Sequence, residues 1–284
     1  MLVWCAKSIA FSDHIMREPE LDLTRVFELE PHGPDTLIGE SPPYRWGRIY
    51  GGLVIAQALW AATQTVNTDH KLHSMHAYFM LAGDPGEPVR YEIDRLRDGR
   101  SFTTRQVTAR QSGGAILTLS CSFQGDEEGG QSQPALFPED AGNPESLAPE
   151  WGAGIPRADV DVPASPPRAL TWSRFPEPLG NDMRVHACAL AYLSDMNPIS
   201  AISRSYPDQA LDRRERHKLF MSASLDHAMW FHRPVAADQW ILVDTRGHGI
   251  QGTRGLATGL VFAADGTHVA TIAQEALLRR RRDR

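Results

Sequence analysis

Asp195 carries the clearest chemical promise in this sequence. It interrupts an apolar segment of small and aromatic side chains, Ala187 to Ile199, where a carboxylate is costly unless a partner or a task holds it. Pro198 biases Asn197 away from helical geometry, which puts Asp195 near the carboxyl end of a buried helix. Burial and the negative end of a helix dipole both oppose ionisation and raise a carboxyl pKa, as a general base working near neutral pH requires. Gln274 shares strand parity with His268, Ala270, Ile272 and Ala276, so its amide sits amid apolar neighbours and must find partners there. Ser224 shares parity with Asp226, Ala228 and Trp230, which brings a hydroxyl close to core positions. Each residue alone also fits a structural role: Asp195 bonded to backbone, Gln274 at a strand edge, Ser224 bonded to its own main chain. Together, a carboxylate, a hydroxyl and an amide can hold and activate a water molecule with no nucleophilic side chain. Gly51-Gly52, at the start of another helix, adds backbone amides that can approach a ligand or an oxyanion; tight packing of that turn against a strand is the structural alternative.

Two helices and the strands around them must position these groups. Tyr50 to Val66 is apolar nearly all round, the pattern of a helix enclosed by protein. His73 to Leu81 and Ala115 to Phe123 alternate apolar and polar residues, and with Val89 to Arg97 and Phe102 to Arg110 they read as an antiparallel meander covered by that helix. Residues 125–180 hold half of the prolines and little periodicity, and read as a linker with one ordered stretch near Leu170 to Arg174. The pattern then returns. A helix over Val185 to Met196 is followed by strands over Leu219 to Arg233, Trp240 to Arg246, Gly255 to Ala263 and His268 to Leu277. Local echoes such as His76-Ala-Tyr-Phe beside His227-Ala-Met-Trp, and Thr104-Arg105 beside Thr253-Arg254, support two copies of one helix-plus-sheet unit. The expected organisation is a lead-in over residues 1–20, a first copy over 21–124, the linker over 125–180 and a second copy over 181–284.

Composition excludes several classes. A net charge of −6 argues against a nucleic-acid partner. Cys5, Cys121 and Cys188 make neither a disulfide framework nor a metal motif. No apolar run is long enough to span a membrane, the start lacks the basic region of a signal peptide, and the terminal Arg-Arg-Asp-Arg is no peroxisomal address; the cytoplasm is the expected location. There is no Gly-x-Ser-x-Gly elbow, no Walker or Rossmann glycine pattern and no His-Glu-x-x-His. No metal and no cofactor is expected. Asp226-His227 is a poor dyad, because adjacent strand residues point to opposite faces.

The segments IYGGLVIAQALWAA, HSMHAYFMLAGDP, YEIDRLRDGRSFTTRQVTARQ, LAYLSDMNP, LDHAMWFHRP and VATIAQEALLR, in this order, resemble the acyl-CoA thioesterase II family, the TesB-like enzymes. The resemblance runs from about Leu21 to Arg279 apart from the linker. It implies an α+β double hotdog, two antiparallel sheets each wrapped around a central helix. It also implies hydrolysis of acyl-CoA to fatty acid and coenzyme A, with the CoA thioester as substrate, and a homodimer or larger homo-oligomer. The family's trio of Asp in SD-x-N, hydroxyl before DH and Gln in QE falls on Asp195, Ser224 and Gln274. Two positions depart from the pattern: Ser224 stands where many members have Thr, and Leu53 where many have Gln directly after the Gly-Gly pair. Two other readings remain at this point. A hotdog hydratase or dehydratase would need a histidine acid/base on a central helix, and His186 is the one available; a non-catalytic acyl-CoA-binding protein would need none of the trio.

Overall fold

A computed structural model describes residues 23, 25–147, 149–163, 165–206 and 218–281. The expected lead-in, with Cys5, and the last three residues of the Arg-rich tail lie outside these. Two helices form the centre, α1 (Gly51–Thr63) and α2 (Met183–Ser194). Leu53, Ile55, Leu59, Ala189, Leu190 and Leu193 are among their fully buried side chains, and both helices share one hydrophobic core with the sheet. The helices approach closely because α1 has Gly52 at the contact: a Cβ there would lie 2.6 Å from the Tyr192 carbonyl oxygen of α2. That carbonyl is among the last of its helix and has no intrahelical donor. The Tyr50 hydroxyl donates to it instead, at 2.9 Å. The sequence motif around Gly51-Gly52 therefore fixes how two helices dock.

Around them, the strands of the described residues join in one 14-stranded sheet. The first half supplies β1 (Glu30–Pro31), β2 (Thr36–Gly39), β3 (Lys71–Phe79), β4 (Val89–Asp98), β5 (Phe102–Gln111) and β6 (Gly114–Gln124). Then come β7 (Glu150–Gly152), β8 (Ile155–Val160) and β9 (Arg168–Ser173), followed by β10 (Phe220–Ser224), β11 (Asp226–Phe231), β12 (Ile241–Gln251), β13 (Arg254–Ala263) and β14 (His268–Arg280). The spatial order is β1-β2-β4-β5-β6-β3-β11-β14-β13-β12-β9-β8-β7, with β10 also on β14. The β3–β11 pair is antiparallel and sits where the two halves meet. The expected alternation holds on the inner face: Met75 and Ala77 of β3, and Leu117, Leu119, Cys121 and Phe123 of β6, are buried. A short helix, α3 (Pro198–Arg204), follows α2 and packs Ala201 and Ile202 against Ala169, Ala257 and Ala276 of the second-half strands.

Three expectations need revision. Residues 125–180 hold three strands, where one ordered stretch near Leu170 to Arg174 was expected. That stretch is β9, and it edges β12 as β2 edges β4. Most of β9 is buried and it is flanked by prolines, which hides its period of two. Leu219 to Arg233 is not one strand but two, divided at Leu225. The echoes that suggested duplication are also out of step with the faces: His76 points out and is exposed, whereas His227 points in and is fully buried. Arg105 is likewise buried and Arg254 exposed. Similar letters there occupy opposite sides of the pleat, so the repeat is visible in strand order and not in those short matches.

Candidate active site

Asp195 is the C-cap of α2, as expected, although Asn197 keeps helical dihedrals (φ −108°, ψ −31°) rather than the extended ones expected before Pro198. The turn that follows is pinned by Asn197, whose amide donates to the carbonyls of Ala169 (3.1 Å) and Val243 (3.0 Å) and whose oxygen accepts from Thr171 Oγ1 (3.1 Å). The Ser-Asp-Met-Asn-Pro run thus couples the end of α2 to strands β9 and β12, and Pro198 opens α3 at its first position. The Asp195 carboxylate is directed at the start of α1. It accepts from the Gly52 amide, and a Cβ on Gly51 would stand 2.8 Å from its Oδ2. Burial pushes the carboxyl pKa up to about 7, against hydrogen bonds from Ser224, Gln274 and Gly52 that pull it down. Desolvation is therefore the cause of the rise; Asp195 stands between the carboxyl end of α2, which it caps, and the amide-bearing start of α1, two ends whose dipoles act on the charge in opposite senses.

Ser224 Oγ donates to Asp195 Oδ1 at 3.2 Å, and Gln274 Nε2 donates to Ser224 Oγ at 2.8 Å. The three residues picked out in the sequence converge. Gln274 is buried as its parity implied, but Ser224 gets there by a different route from the one expected. Asp226 and Ala228 are only part-buried and Trp230 is exposed, so their shared face is the outer one. The register shows why Ser224 still faces in. Ser224 pairs with Ala276 and Ala228 with Ala273, so three residues of one strand oppose two of β14. The additional residue is a bulge at Leu225, which reverses the parity and turns Ser224 to the inner face. Asp226 secures the bulge by accepting from the Glu275 amide at 2.6 Å, while Leu225 N donates to the Glu275 carbonyl at 2.9 Å.

The bulge also admits a residue that strand alternation had set aside. His227 is fully buried; its Nδ1 lies 2.6 Å from Gln274 Oε1 and its Nε2 lies 2.8 Å from Ser194 Oγ. Burial lowers its pKa to about 4. The histidine in the Asp-His pair was legible, but not its link to Gln274, which depends on the cross-strand register. His186, by contrast, is occupied at the far end of α2: its Nε2 is 2.9 Å from the Gly180 carbonyl and its Nδ1 accepts from the Ala237 amide at 3.1 Å. That removes the histidine a hydratase reading would have used.

A cavity of about 840 Å³ opens onto this group. Asp195, Ser224 and Gly51 line it, whereas Gln274 and His227 stand behind Ser224. Phe79, Ile116, Val54 and Leu278 provide apolar wall, and Arg48, Arg204 and Arg281 provide positive charge. Gly52 is a support for Asp195, which takes its amide; Gly51 is the member of the pair at the cavity wall. Leu53, at the second departure from the motif, is fully buried in the core. Among the described residues no cluster of His, Cys, Asp and Glu has the arrangement of a metal site, and no helix is long and apolar enough to cross a membrane.

Known proteins resemble this chain along most of its length. Residues 41–124 match the family described as "Acyl-CoA thioesterase N-terminal domain", and residues 130–278 match "Acyl-CoA thioesterase C-terminal domain". "Acyl-CoA thioesterase 2" of Haemophilus influenzae is 31% identical, over 91% of this chain and 97% of that protein. Human "Acyl-coenzyme A thioesterase 8" is 32% identical, over 90% of this chain and 88% of its own. Among solved structures, the acyl-CoA thioesterase II TesB2 of Mycobacterium marinum superposes with a TM-score of 0.78 at 32% identity, covering 90% of this chain and 98% of that one. A protein described as having a hot dog fold, from Alicyclobacillus acidocaldarius, superposes at 0.71 with 19% identity over 89% and 96% of the two chains, a likeness of fold alone.

Proposed function

This chain belongs to the TesB-like family of acyl-CoA thioesterases, and from that premise we propose that it hydrolyses fatty acyl-CoA with a water activated by Asp195, Ser224 and Gln274. The observation that carries this reading is the Ser224–Asp195 hydrogen bond at the cavity wall, made by a carboxyl whose burial raises its pKa to about 7. A water held between Asp195 and Ser224 gives a proton to the carboxylate as its oxygen attacks the thioester carbonyl. The carbon–sulfur bond then breaks, and the sulfur takes the proton as coenzyme A leaves. The products are one fatty acid and one thiol, and no acyl-enzyme forms. Asp195 is the base, Ser224 orients the water, and Gln274 holds Ser224 from behind. The Gly51 amide, at the start of α1 and beside the base, stabilises the oxyanion. General-base assistance of this kind is worth about 10²–10⁴-fold.

The wider reading follows the same lines. The fold is a double hotdog, supported by the matching order β2-β4-β5-β6-β3 and β9-β12-β13-β14-β11, each half with its own helix. The cavity's apolar wall takes the acyl chain, and its arginines face the phosphates of coenzyme A. No cofactor is called for. Buried Cys121 and Cys188, both free thiols, are in keeping with the cytoplasm, and pairing of sheets between copies would give a homodimer. The test is release of free thiol from acyl-CoA by the purified protein. Wild type is expected to turn over and Asp195→Asn to lose nearly all activity while unfolding at a similar or higher temperature; an Asp195→Asn protein with undiminished turnover would sink the mechanism.

A further inference from the structure

We infer that His227 is a positioning residue: as a neutral imidazole protonated on Nδ1, it sets the orientation of the Gln274 amide and through it the direction of the Ser224 hydrogen bond to Asp195. This rests on the reading of Asp195 as the base. His227 touches neither the cavity nor Asp195, so its effect can only be relayed.

Donor and acceptor counting gives the direction. Asp195, when ionised, only accepts. The Ser224 hydroxyl has one proton and spends it on Asp195 Oδ1. Ser224 Oγ must then accept from Gln274, so the Gln274 nitrogen faces Ser224 and its oxygen faces His227. The Gln274 amide also helps to pull the Asp195 pKa down, so its nitrogen side faces the carboxylate as well. An oxygen 2.6 Å from His227 Nδ1 requires a proton on that nitrogen. The imidazole is neutral, so Nε2 carries no proton and accepts from Ser194 Oγ at 2.8 Å, the Ser194 hydroxyl sharing its one proton between Nε2 and the Ala191 carbonyl, also at 2.8 Å. The chain of donation runs Ser194, His227, Gln274, Ser224, Asp195. It begins and ends on adjacent residues at the end of α2.

The alternative arrangement shows what is at stake. Were the Gln274 amide to rotate by half a turn, its oxygen would face both Ser224 and the Asp195 carboxylate. The Ser224 proton would be drawn to Gln274, the carboxylate would lose two donors, and the water would meet a base with a different charge and a hydroxyl aimed away. A buried Nδ1–H costs that rotation a hydrogen bond and sets two donors against each other, so the amide has one stable orientation. Burial of His227 keeps the ring neutral, which an imidazolium with protons on both nitrogens would spoil.

Two substitutions separate positioning from simple packing. Asn places its amide where Nδ1 stood, and Gln places its amide where Nε2 stood. His227→Asn keeps a donor for Gln274, and we expect its kcat within about 5-fold of wild type. His227→Gln loses that donor, and kcat should fall about 10- to 100-fold with KM unchanged, the scale of one misdirected charge-assisted hydrogen bond. Equal losses in both variants, or none in His227→Gln, overturn the proposal. Should either variant unfold, the wild-type protein decides. With ¹⁵N-labelled histidine, the His227 ring is expected to stay neutral with its proton on Nδ1 from pH 5 to 8; a proton on Nε2 or a charged ring in that range overturns it. Active Asp195→Asn would instead refute the base itself, whatever the histidine does.

Discussion

Each of the two central helices has an aspartate against its amino end, and the two carboxyls titrate in opposite directions. Asp182 is the N-cap of α2 and accepts from the Arg184 amide at 3.0 Å; Asp195 accepts from the Gly52 amide at the start of α1. Asp182 is part-exposed and paired with the Arg184 guanidinium at 2.6 Å, and that hydrogen bond holds its pKa below the usual carboxylate range. Asp195 is buried, its hydrogen-bond partners are neutral, and its pKa is raised to about 7. The antiparallel packing of α1 and α2 puts these pairs at opposite ends. Arg184 lies over Trp60 of α1, with 5.7 Å to the ring centroid, at one end, and Gly51-Gly52 meets Asp195 at the other. Asp182 stands at an exposed end beside a cation, whereas Asp195 is almost wholly buried at the cavity wall with no cation bonded to it. A helix N-terminus alone does not decide whether an aspartate is a cap or a base: solvent and counter-charge do.

The largest contrast should appear in turnover. Asp195→Asn is expected to cost about 10²–10⁴-fold in kcat, while Asp182→Asn should change it by no more than about 3-fold, both read by thiol release. Comparable losses would erase the distinction between the two ends.

Stability against pH comes next. The folded Asp195 pKa is above its unfolded value of 3.8, so its contribution is fully present below about pH 4 and is lost as pH rises to about 7. The gap is worth about 4 kcal/mol. Urea unfolding of wild type and Asp195→Asn from pH 4 to 8 should diverge by a loss of that order in wild type only. Asp182 has the reverse sign: its lowered pKa means that it stabilises above the unfolded value and ceases to as pH falls through the folded one. Parallel curves for wild type and Asp195→Asn would mean that the carboxyl is solvated.

Gly51→Ala probes the crowding around the base. A Cβ would stand 2.8 Å from Asp195 Oδ2 and 2.9 Å from the Phe79 ring. Displacing the carboxylate by a fraction of an ångström should lower kcat by roughly 10²-fold, with thermal unfolding as the control. Activity at the wild-type level would show that the carboxylate has room to move. The smallest effect belongs to the exposed end: Asp182→Ala removes a cap and should cost about 1 kcal/mol in urea unfolding, with thiol release little changed.

Periodicity in the sequence located both helices to within a few residues, found the strands of the first meander and separated Asp195, Ser224 and Gln274 from their apolar neighbours. Those are local signals, with a period fixed by covalent geometry. What stayed hidden depended on pairing between distant segments. Strict alternation assigned Ser224 to the face of Asp226 and Trp230; only the register of β10 and β11 against β14 discloses the bulge at Leu225 that turns it inward. The same register gives His227 its contact with Gln274. β7 and β8 escaped notice because Pro, Gly and Asp dominate their surroundings, and pairing with β9 supplies what propensity withholds.

The most direct test of the buried base is the pH dependence of wild-type kcat/KM for acyl-CoA hydrolysis. Asp195 must be ionised to accept a proton, so activity should rise with pH through a single limb centred near 7 and level off above it. A limb centred near 4, or a rate independent of pH between 5 and 8, would contradict a base tuned by burial.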